Sequence, residues 1–310
     1  MTNKLTTILK AEGLEHLIPI FVDQGIVDSM LSDLSESDLK TIGIDKLGER
    51  KRLLAVFAES KSDKPATSPP SNPMVKVVGG VLPSSSDLAG TPVESFLIEK
   101  YAVTNQEWHG VRNWAVENGF DMAEGWAGGQ SHPISNINWY DCVKWCNAKS
   151  LMEGLEPVYG GKGHDGYYCS GEYGSVGSEN VILKPRANGY RLPTEAEWEW
   201  AARGGRHSQG YTFAGSNNLN SVGWYDDNSG GAAHAVGEKA ANELGLYDMS
   251  GNVFEWCWDL DGTSNRRIRG GCWNYNAGNA AVANRDAYYY PDNRIIYIGF
   301  RLVRSSGNYA

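Results

Sequence analysis

Five cysteines carry the strongest intrinsic chemistry in this chain, because a thiolate is both a nucleophile and a soft metal ligand. They stand at Cys142, Cys146, Cys169, Cys257 and Cys272. An odd number of cysteines at wide spacing is a poor disulfide framework, so a reducing compartment is the simpler interpretation. We therefore expect a cytoplasmic protein from the sequence as given, with the cell surface or secretion as the alternative if a leader is missing.

Large aromatic and aliphatic side chains stand next to one another near the C-terminus, in the segment 272–297. Three consecutive tyrosines occupy 288–290, and Ile295 is followed directly by Ile296. Because neighbouring side chains of an extended backbone point in opposite directions, some of these groups must face solvent. Tyrosine combines a large contact area with few rotatable bonds and a hydroxyl, which suits a binding surface. The alternative is that these side chains close the domain's own core or a dimer contact.

The composition is typical of a loop-rich domain pinned by aromatic side chains. The 310 residues include 37 Gly, 11 Trp and 16 Tyr, and 41% of them are hydrophobic, enough to build a core. A net charge of −9 argues against a nucleic-acid partner, because phosphate binding depends mainly on Lys and Arg. No stretch of the sequence is long and apolar enough to span a bilayer.

A polar stretch rich in Pro and Ser, KSDKPATSPPSNP at 61–73, has the composition of an extended linker. We predict a small helical domain over 1–62, a linker over 63–73 and a larger domain over 74–310. The larger domain alternates short apolar runs with Gly, Asn and Asp turns, which indicates a mixed α+β fold dominated by loops.

Apolar residues of the first domain recur at helical spacing, as at Leu14, Leu17, Ile18 and Phe21. Ser35 begins a capping-box-like pattern ahead of a further helix. The order GLEHLIPIF…LSESDLKTIGIDKLGERKRLL resembles a sterile alpha motif (SAM) domain. That resemblance implies self-association or an adaptor contact, and 8 Lys and Arg against 10 Asp and Glu suit protein pairing more than RNA. The alternative is a plain helical bundle without a partner.

Two helices of the larger domain can be predicted from local patterns. One lies around 141–148, and the other starts at Thr194, where Glu197 completes a capping box. Short apolar runs predict strands at 75–78, 96–101 and 299–303.

Three blocks, taken in order, resemble one known family. They are GYRLPTEAEWEWAARGG at 189–205, NELGLYDMSGNVFEWCWD at 242–259 and IRGGCWN…GFRLV at 268–303. With HPISNINWYDCVKWCNAKS ahead of them, they look like the formylglycine-generating-enzyme and sulfatase-modifying-factor family. The resemblance covers about 74–304 and implies a loop-rich C-type-lectin-like fold. The whole chain is therefore expected to be α+β, with a small all-α SAM-like domain in front.

The enzymes of that family use two cysteines five residues apart to hold copper and reach oxygen. Counted from the Gly-Gly of the last block, the matching positions in this chain are Tyr275 and Ala280, and neither has a thiol. Cys272 stands three residues too early. The resemblance thus implies a scaffold that has lost the family's catalysis and that requires no cofactor.

A structural calcium ion is a further expectation that the resemblance carries. The family's calcium ligands align here with Asp248 and Glu255 as side-chain ligands and with Gly251 and Val253 as carbonyl ligands. Hard oxygen donors of this kind suit Ca²⁺. The alternative is that Asp248 caps a turn and Glu255 pairs with an arginine.

A second, narrower resemblance lies between 269 and 301. The frame RGG-W…N…ANR…P-NR…IGFR is similar to that of variable proteins of diversity-generating retroelements. In those systems, substitution at template adenines never yields Lys, Glu, Gln or Met, and the window 272–297 contains none of these. The resemblance implies that the residues in the gaps of the frame vary and bind ligand: Tyr275, Asn276, Asn279, Asp286, Ala287, Tyr288, Tyr289, Ile295, Ile296 and Tyr297.

Taken together, these features favour a non-catalytic ligand-binding protein that displays a diversified surface on a C-type-lectin-like scaffold. A protein is the ligand class we favour, and the SAM-like domain would cluster the molecule or join it to a partner. Two alternatives stay open. One is a metal-dependent oxidoreductase of the formylglycine-generating type with a rebuilt site, and the other is an intracellular signalling or conflict-system sensor.

Overall fold

The computed structural model describes residues 4–11, 13–23, 36–46, 48–54, 72–161, 166–170, 181–184, 186–262, 264–285 and 288–306. The chain divides into two units, Met1–Ser68 and Pro69–Ala310. Most of the predicted linker 63–73 lies outside the described residues, so its boundaries stay a prediction. Within the described ranges, no helix has the length and apolar character needed to cross a membrane.

Helices α1 (Lys4–Ala11), α2 (Ile18–Asp23), α3 (Glu36–Thr41) and α4 (48–54) form the first unit. Their apolar faces meet in one small core, as the helical spacing in the sequence predicts. The predicted cap at Ser35 lies outside the described residues. The buried residues of this core are Leu5, Leu9, Leu14, Leu17, Phe21, Leu39, Ile44 and Leu53.

Within the described residues, the second unit has the α-helices α5 (Asn105–Glu117), α6 (Trp139–Met152), α7 (Glu195–Ala202) and α8 (Leu219–Val222). The predicted capping box at the start of α7 is present, because Thr194 and Glu197 satisfy each other's backbone N–H groups. Asn138 and Asp141 form an equivalent box at the start of α6. The capping pairs therefore fix where each helix begins.

Eleven short strands complete the described part of the second unit, and seven of them build two sheets. One sheet has the order β1-β4-β11, and the other has the order β10-β7-β8-β9, which makes β9 an edge strand. The pairs β2-β3 and β5-β6 stand apart. The strands are β1 (Met74–Val77), β2 (Gly80–Val81), β3 (Pro92–Val93), β4 (Phe96–Glu99), β5 (Tyr159–Gly161), β6 (Val181–Leu183), β7 (Phe254–Leu260), β8 (Arg266–Arg269), β9 (Tyr288–Tyr289), β10 (Ile298–Gly299) and β11 (Val303–Ser305).

The single strand predicted over 299–303 is wrong. The chain leaves β10, which pairs with β7, and enters β11, which pairs with β4 in the other sheet. Phe300, Arg301 and Leu302 between these strands are all buried, so the side chains do not alternate between core and solvent as in a half-buried strand. The carbonyls of Phe300 and Leu302 accept hydrogen bonds from Val103 and Glu99, which hold the crossing in place.

Candidate ligand-binding surface

A buried ion pair lies beneath the C-terminal segment and joins β7 to the crossing between the sheets. Arg301 donates from Nε and Nη2 to the Glu255 carboxylate over 2.7–2.9 Å. Trp198 Nε1 donates to the same carboxylate at 2.7 Å. Since both charged side chains are almost fully buried, removing either one would leave an uncompensated charge in the core.

Arg269 at the end of β8 makes the second buried contact of the frame. Its guanidinium donates to Glu195 at 2.8 Å and to Glu199 at 2.9 Å, and both acids lie on α7. A third hydrogen bond of 2.7 Å reaches the carbonyl of Val282 within the C-terminal segment. The strand, the helix and the segment are thus held by one side chain.

Two further arginines fasten the segment to the starts of helices, and we call Arg285 and Arg294 the clamp arginines. Arg285 donates to both oxygens of Glu195, at 3.0 and 2.8 Å, where α7 begins. Arg294 donates to Asp141 at 2.8 Å, in the first turn of α6. Charge-assisted hydrogen bonds of this kind fix position more strongly than neutral ones. The backbone between the clamps therefore starts and ends at fixed points.

The side chains of β9 and its flank alternate, as an extended backbone requires. Tyr288 is 49% exposed and Tyr290 is 60% exposed, whereas Tyr289 between them is half-buried. Beyond the second clamp, Ile296 is 47% exposed, and Ile295 before it is half-buried against the core. Large apolar groups are thus held out to solvent on both sides of Arg294.

The remaining residues predicted for this surface lie at its margins. Asn276 is exposed and caps the 3₁₀ helix Ala277–Ala280 by accepting a hydrogen bond from the backbone N–H of Gly278. Asn279 within that helix is half-buried. Asp286 and Ala287 lie outside the described residues.

Three half-buried tyrosines, which we call the tyrosine triad, meet through their hydroxyls. The hydroxyl of Tyr275 lies 3.3 Å from that of Tyr289 and 3.2 Å from that of Tyr297, and the last two are 2.9 Å apart. Phe254 packs edge-on against the ring of Tyr275 at 5.3 Å between centroids. The structure therefore brings together three of the predicted positions that are far apart in sequence.

Sequence reasoning did not select two exposed aromatic residues next to this surface. Tyr290 fell outside the gaps of the frame that defined the predicted set. Trp126 is 48% exposed and forms a β-bridge with Ser135. The residue after Ser135, Asn136, donates from its backbone N–H to the carbonyl of Ile295 at 3.0 Å, so this loop contacts the C-terminal segment. No local pattern links Trp126 to the C-terminus, since the contact is set by the fold.

Family models match almost the whole chain. The model of the sulfatase-modifying factor enzyme 1-like domain matches residues 60–306, and that of the SAM domain matches residues 4–60. The chain belongs to the sulfatase-modifying factor enzyme 1-like family. Its second unit is referred to below as the sulfatase-modifying-factor-like domain.

Similar proteins come from sequence and from structure. The chaperone protein LppX of Paenibacillus barcinonensis is 33% identical over 273 residues, which are 76% of this chain and 90% of that protein. The crystal structure of CarF is 31% identical with a TM-score of 0.65, over 76% of this chain and 99% of CarF. Treponema denticola variable protein 1 is also 31% identical, with a TM-score of 0.62, over 75% of this chain and 94% of that protein. The resemblances to the sulfatase-modifying-factor family, to the SAM domain and to retroelement variable proteins are confirmed. The predicted α+β fold is confirmed as well.

The two positions that match the family's catalytic cysteines have no thiol in this sulfatase-modifying-factor-like domain. Tyr275 belongs to the tyrosine triad, and Ala280 is buried with its carbonyl accepting a hydrogen bond from Ser250. The nearest cysteine in sequence, Cys272, is buried, and burial raises the pKa of its thiol. Burial likewise raises the pKa of the Cys142 and Cys257 thiols, which favours their protonated form.

The expected calcium ligands are only partly suited to a cation. Both oxygens of Glu255 are engaged by three N–H donors, because Arg301 Nε lies within reach of both, Arg301 Nη2 donates to Oε1 and Trp198 Nε1 donates to Oε2. Asp248 differs, because Oδ2 accepts from Gly237 while Oδ1 is buried without a hydrogen-bond partner among the described residues. The arrangement does not fit a site that takes both carboxylates. The calcium site that the resemblance implies, with Gly251 and Val253 as its carbonyl ligands, stays untested, and we expect that it does not form while Glu255 is paired with Arg301.

Proposed function

We propose that the sulfatase-modifying-factor-like domain is a non-catalytic recognition scaffold, and that the side chains between and beside its clamp arginines bind a protein ligand. The observation that carries the proposal is the exposure of Tyr288, Tyr290 and Ile296 on a backbone that is fastened to the fixed helices. Rigid aromatic groups lose little conformational entropy on binding, which is why recognition surfaces use them.

The resemblance to retroelement variable proteins adds a second part to the proposal. We infer that the gap positions of the frame, Tyr275 and Tyr288 among them, differ between copies of the gene, while Arg269, Arg285 and Arg294 do not. The physical support is that the arginines hold the backbone through partners on α6 and α7. Substitutions in the gaps would then change the surface without changing the scaffold.

Binding capacity is tested with two display libraries panned against immobilised lysozyme. One library varies Asn276, Tyr288 and Ile296, and the control library varies three exposed positions elsewhere, Val81 and Val116 with Ile182. We expect binders from the first library at a frequency at least tenfold above the control, on the order expected when one surface is preorganised. Equal frequencies would refute the claim that this surface is specialised for recognition.

Diversification is tested separately by sequencing the gene and its flanks from many independent isolates. A retroelement origin predicts a near-copy of the DNA that encodes residues 269–301, with adenines at the gap codons, beside a reverse transcriptase gene. Substitutions should fall at those codons and spare the arginine codons. Substitutions spread evenly over the gene, with no such copy, would contradict this part of the proposal.

The SAM domain over residues 4–60 indicates a protein interaction for the first unit. We infer that it clusters several copies of the chain, or joins the chain to another protein. Clustering would raise a weak single-site affinity by avidity, with no new contact at the recognition surface.

A further inference from the structure

The tyrosine triad presents an unusual concentration of hydroxyl groups at one point of the surface. Each of its three oxygens lies within 3.3 Å of the other two, so the hydroxyls form a closed triangle. The rings behind them are held in place, because all three pack against the main core of the domain. The three rings therefore have fixed positions in this chain, and the triangle does not depend on three freely rotating side chains.

Counting donors and acceptors shows what the triangle offers to a ligand. A tyrosine hydroxyl has one proton to donate and two lone pairs to accept with. When each hydroxyl donates to one neighbour around the triangle, the three hydrogen bonds use all three protons and three of the six lone pairs. Three acceptor positions are then left, one on each oxygen, and no donor is left.

Two hydroxyls of the triad have a raised pKa. Burial is the first cause that raises the pKa of Tyr289 and Tyr297, and the hydrogen bond that each shares with Tyr275 acts in the same direction. The neutral form of these two hydroxyls is therefore favoured.

Charges around the triad favour a cation over an anion. The exposed Asp226 lies beside Tyr275, because its backbone N–H donates to the carbonyl of Tyr275 at 3.2 Å. The two clamp arginines of the segment are both paired with acids, one with Glu195 and the other with Asp141. An anionic ligand would therefore have to displace Glu195 or Asp141 before it could pair with an arginine of the segment.

We propose that the tyrosine triad receives a primary ammonium group, such as a lysine side chain on the protein ligand. This inference rests on the proposed function of the surface and names the chemistry of its partner. An ammonium has three N–H donors and no acceptor, which matches three acceptor positions at the corners of a triangle. A quaternary ammonium has the same charge but no N–H donor, so it cannot make these hydrogen bonds.

Three small probes with the same stem test the assignment on the wild-type protein, by NMR titration of the tyrosine ring signals. They are Nα-acetyl-lysine amide, its trimethyllysine analogue and Nα-acetyl-norleucine amide. We expect the lysine probe to bind with a Kd on the order of a millimolar, because few of its atoms are engaged. The trimethyllysine and norleucine probes should bind about tenfold more weakly, since each lacks the N–H donors.

Single hydroxyl deletions locate the site. Tyr275→Phe and Tyr297→Phe each keep the ring that packs on the core, and each should weaken the lysine probe about tenfold. Tyr211→Phe is the matched control, because Tyr211 is exposed and lies outside both the triad and the proposed recognition surface, and it should leave binding unchanged. Melting temperatures of all three variants check that the fold is intact.

The proposal would be overturned by trimethyllysine binding as tightly as lysine, by norleucine binding as tightly as lysine, or by an equal loss in Tyr211→Phe. The first would indicate a cation–π contact with the rings, and the second a purely apolar contact. No binding of the lysine probe to the wild type would also refute the ammonium assignment. It would leave the panning result for the whole surface unaffected, so the two failures can be told apart.

Discussion

At the scale of single residues, arginines define the frame and tyrosines define the surface. Arg269, Arg285, Arg294 and Arg301 each reach a carboxylate of the scaffold over 2.7–3.0 Å. Their partners are buried, so each ion pair is screened from solvent on its acidic side. By contrast, the side chains of Tyr288, Tyr290 and Ile296 between them are exposed.

Replacing a clamp arginine should destabilise the domain and loosen the segment that it holds. We expect Arg285→Gln and Arg294→Gln each to lower the free energy of unfolding by about 1–3 kcal/mol, because each leaves a buried carboxylate with fewer donors. Amide hydrogen exchange over residues 288–297 should also become faster. Arg304→Gln is a matched control, since Arg304 donates only to a backbone carbonyl, at Asn188. Exchange rates that rise equally in the control would show that the clamps do not hold the segment.

Asp248 should give the domain a pH dependence. Burial raises its pKa to about 6, so the folded state keeps a proton that the unfolded state loses at lower pH. This contribution to stability is fully present below about pH 4, falls as the pH rises to about 6, and totals about 3 kcal/mol. Urea titrations of wild type and Asp248→Asn should therefore diverge between pH 4 and 6, with the variant gaining relative stability. Parallel curves that match those of the exposed control Asp227→Asn would contradict this assignment.

Calcium should have little effect on this domain. Because both oxygens of Glu255 are engaged by Arg301 and Trp198, a cation cannot recruit that carboxylate without disturbing a buried ion pair. We expect the melting temperature in 5 mM calcium to lie within about 1 °C of that in a chelator, since a ligand stabilises only the state that it binds. A calcium-dependent rise that saturates would show instead that Glu255 exchanges its partners.

At the scale of helices and strands, the capping boxes place the acids on which the arginines act. Glu195 directly follows the cap of α7, and Asp141 is itself the capping-box acid of α6. Negative charge near a helix start is favourable in itself, so these positions suit both roles. The start of each helix is thereby linked to the position of the recognition surface.

Loss of the α7 cap should destabilise the domain measurably. Thr194→Ala removes the side-chain acceptor for the backbone N–H of Glu197, and we expect a loss of about 1 kcal/mol in unfolding free energy. Thr194→Ser keeps the hydroxyl and should cost less than half of that amount. Equal losses in both variants, measured by denaturant unfolding, would show that the methyl group matters more than the cap.

Local sequence patterns predicted where helices and strands lie, but they did not predict the contacts between them. The start of α7 followed from Thr194 and Glu197, because a capping box is complete within four residues. The change of sheet after β10 was not predictable, since it accompanies the burial of Arg301 on an acid 46 positions earlier. The clamp partners are 90 and 153 positions away from Arg285 and Arg294, so no window of sequence contains both ends.

The recognition surface was likewise predicted only in part. The run of tyrosines indicated that some rings must be exposed, and Tyr288 is. Which rings converge was beyond the sequence, because the triad joins positions 275, 289 and 297 through tertiary packing. The frame motif selected these positions by resemblance, and only the fold shows that three of them share one hydrogen-bonded cluster.

At the scale of the whole molecule, the chain combines two units of different kinds. One is a small helical unit with a SAM domain match, and the other is a loop-rich domain of the sulfatase-modifying factor enzyme 1-like family. In the second, the scaffold and the surface are separable, because buried arginine–carboxylate pairs support the backbone while the large side chains at the surface face solvent. That separation is what the proposed recognition function depends on.

The separation is tested most directly by the unfolding free energy of a variant with Tyr288→Ser, Tyr290→Ser and Ile296→Ser combined. Exposed positions change stability by about 0.5 kcal/mol or less each, so we predict a total loss below about 1.5 kcal/mol in urea titrations. Truncating a large side chain that is packed in a core lowers the free energy of unfolding by about 3–5 kcal/mol. A total loss above about 6 kcal/mol would mean that these residues support the fold, which would contradict their display for binding.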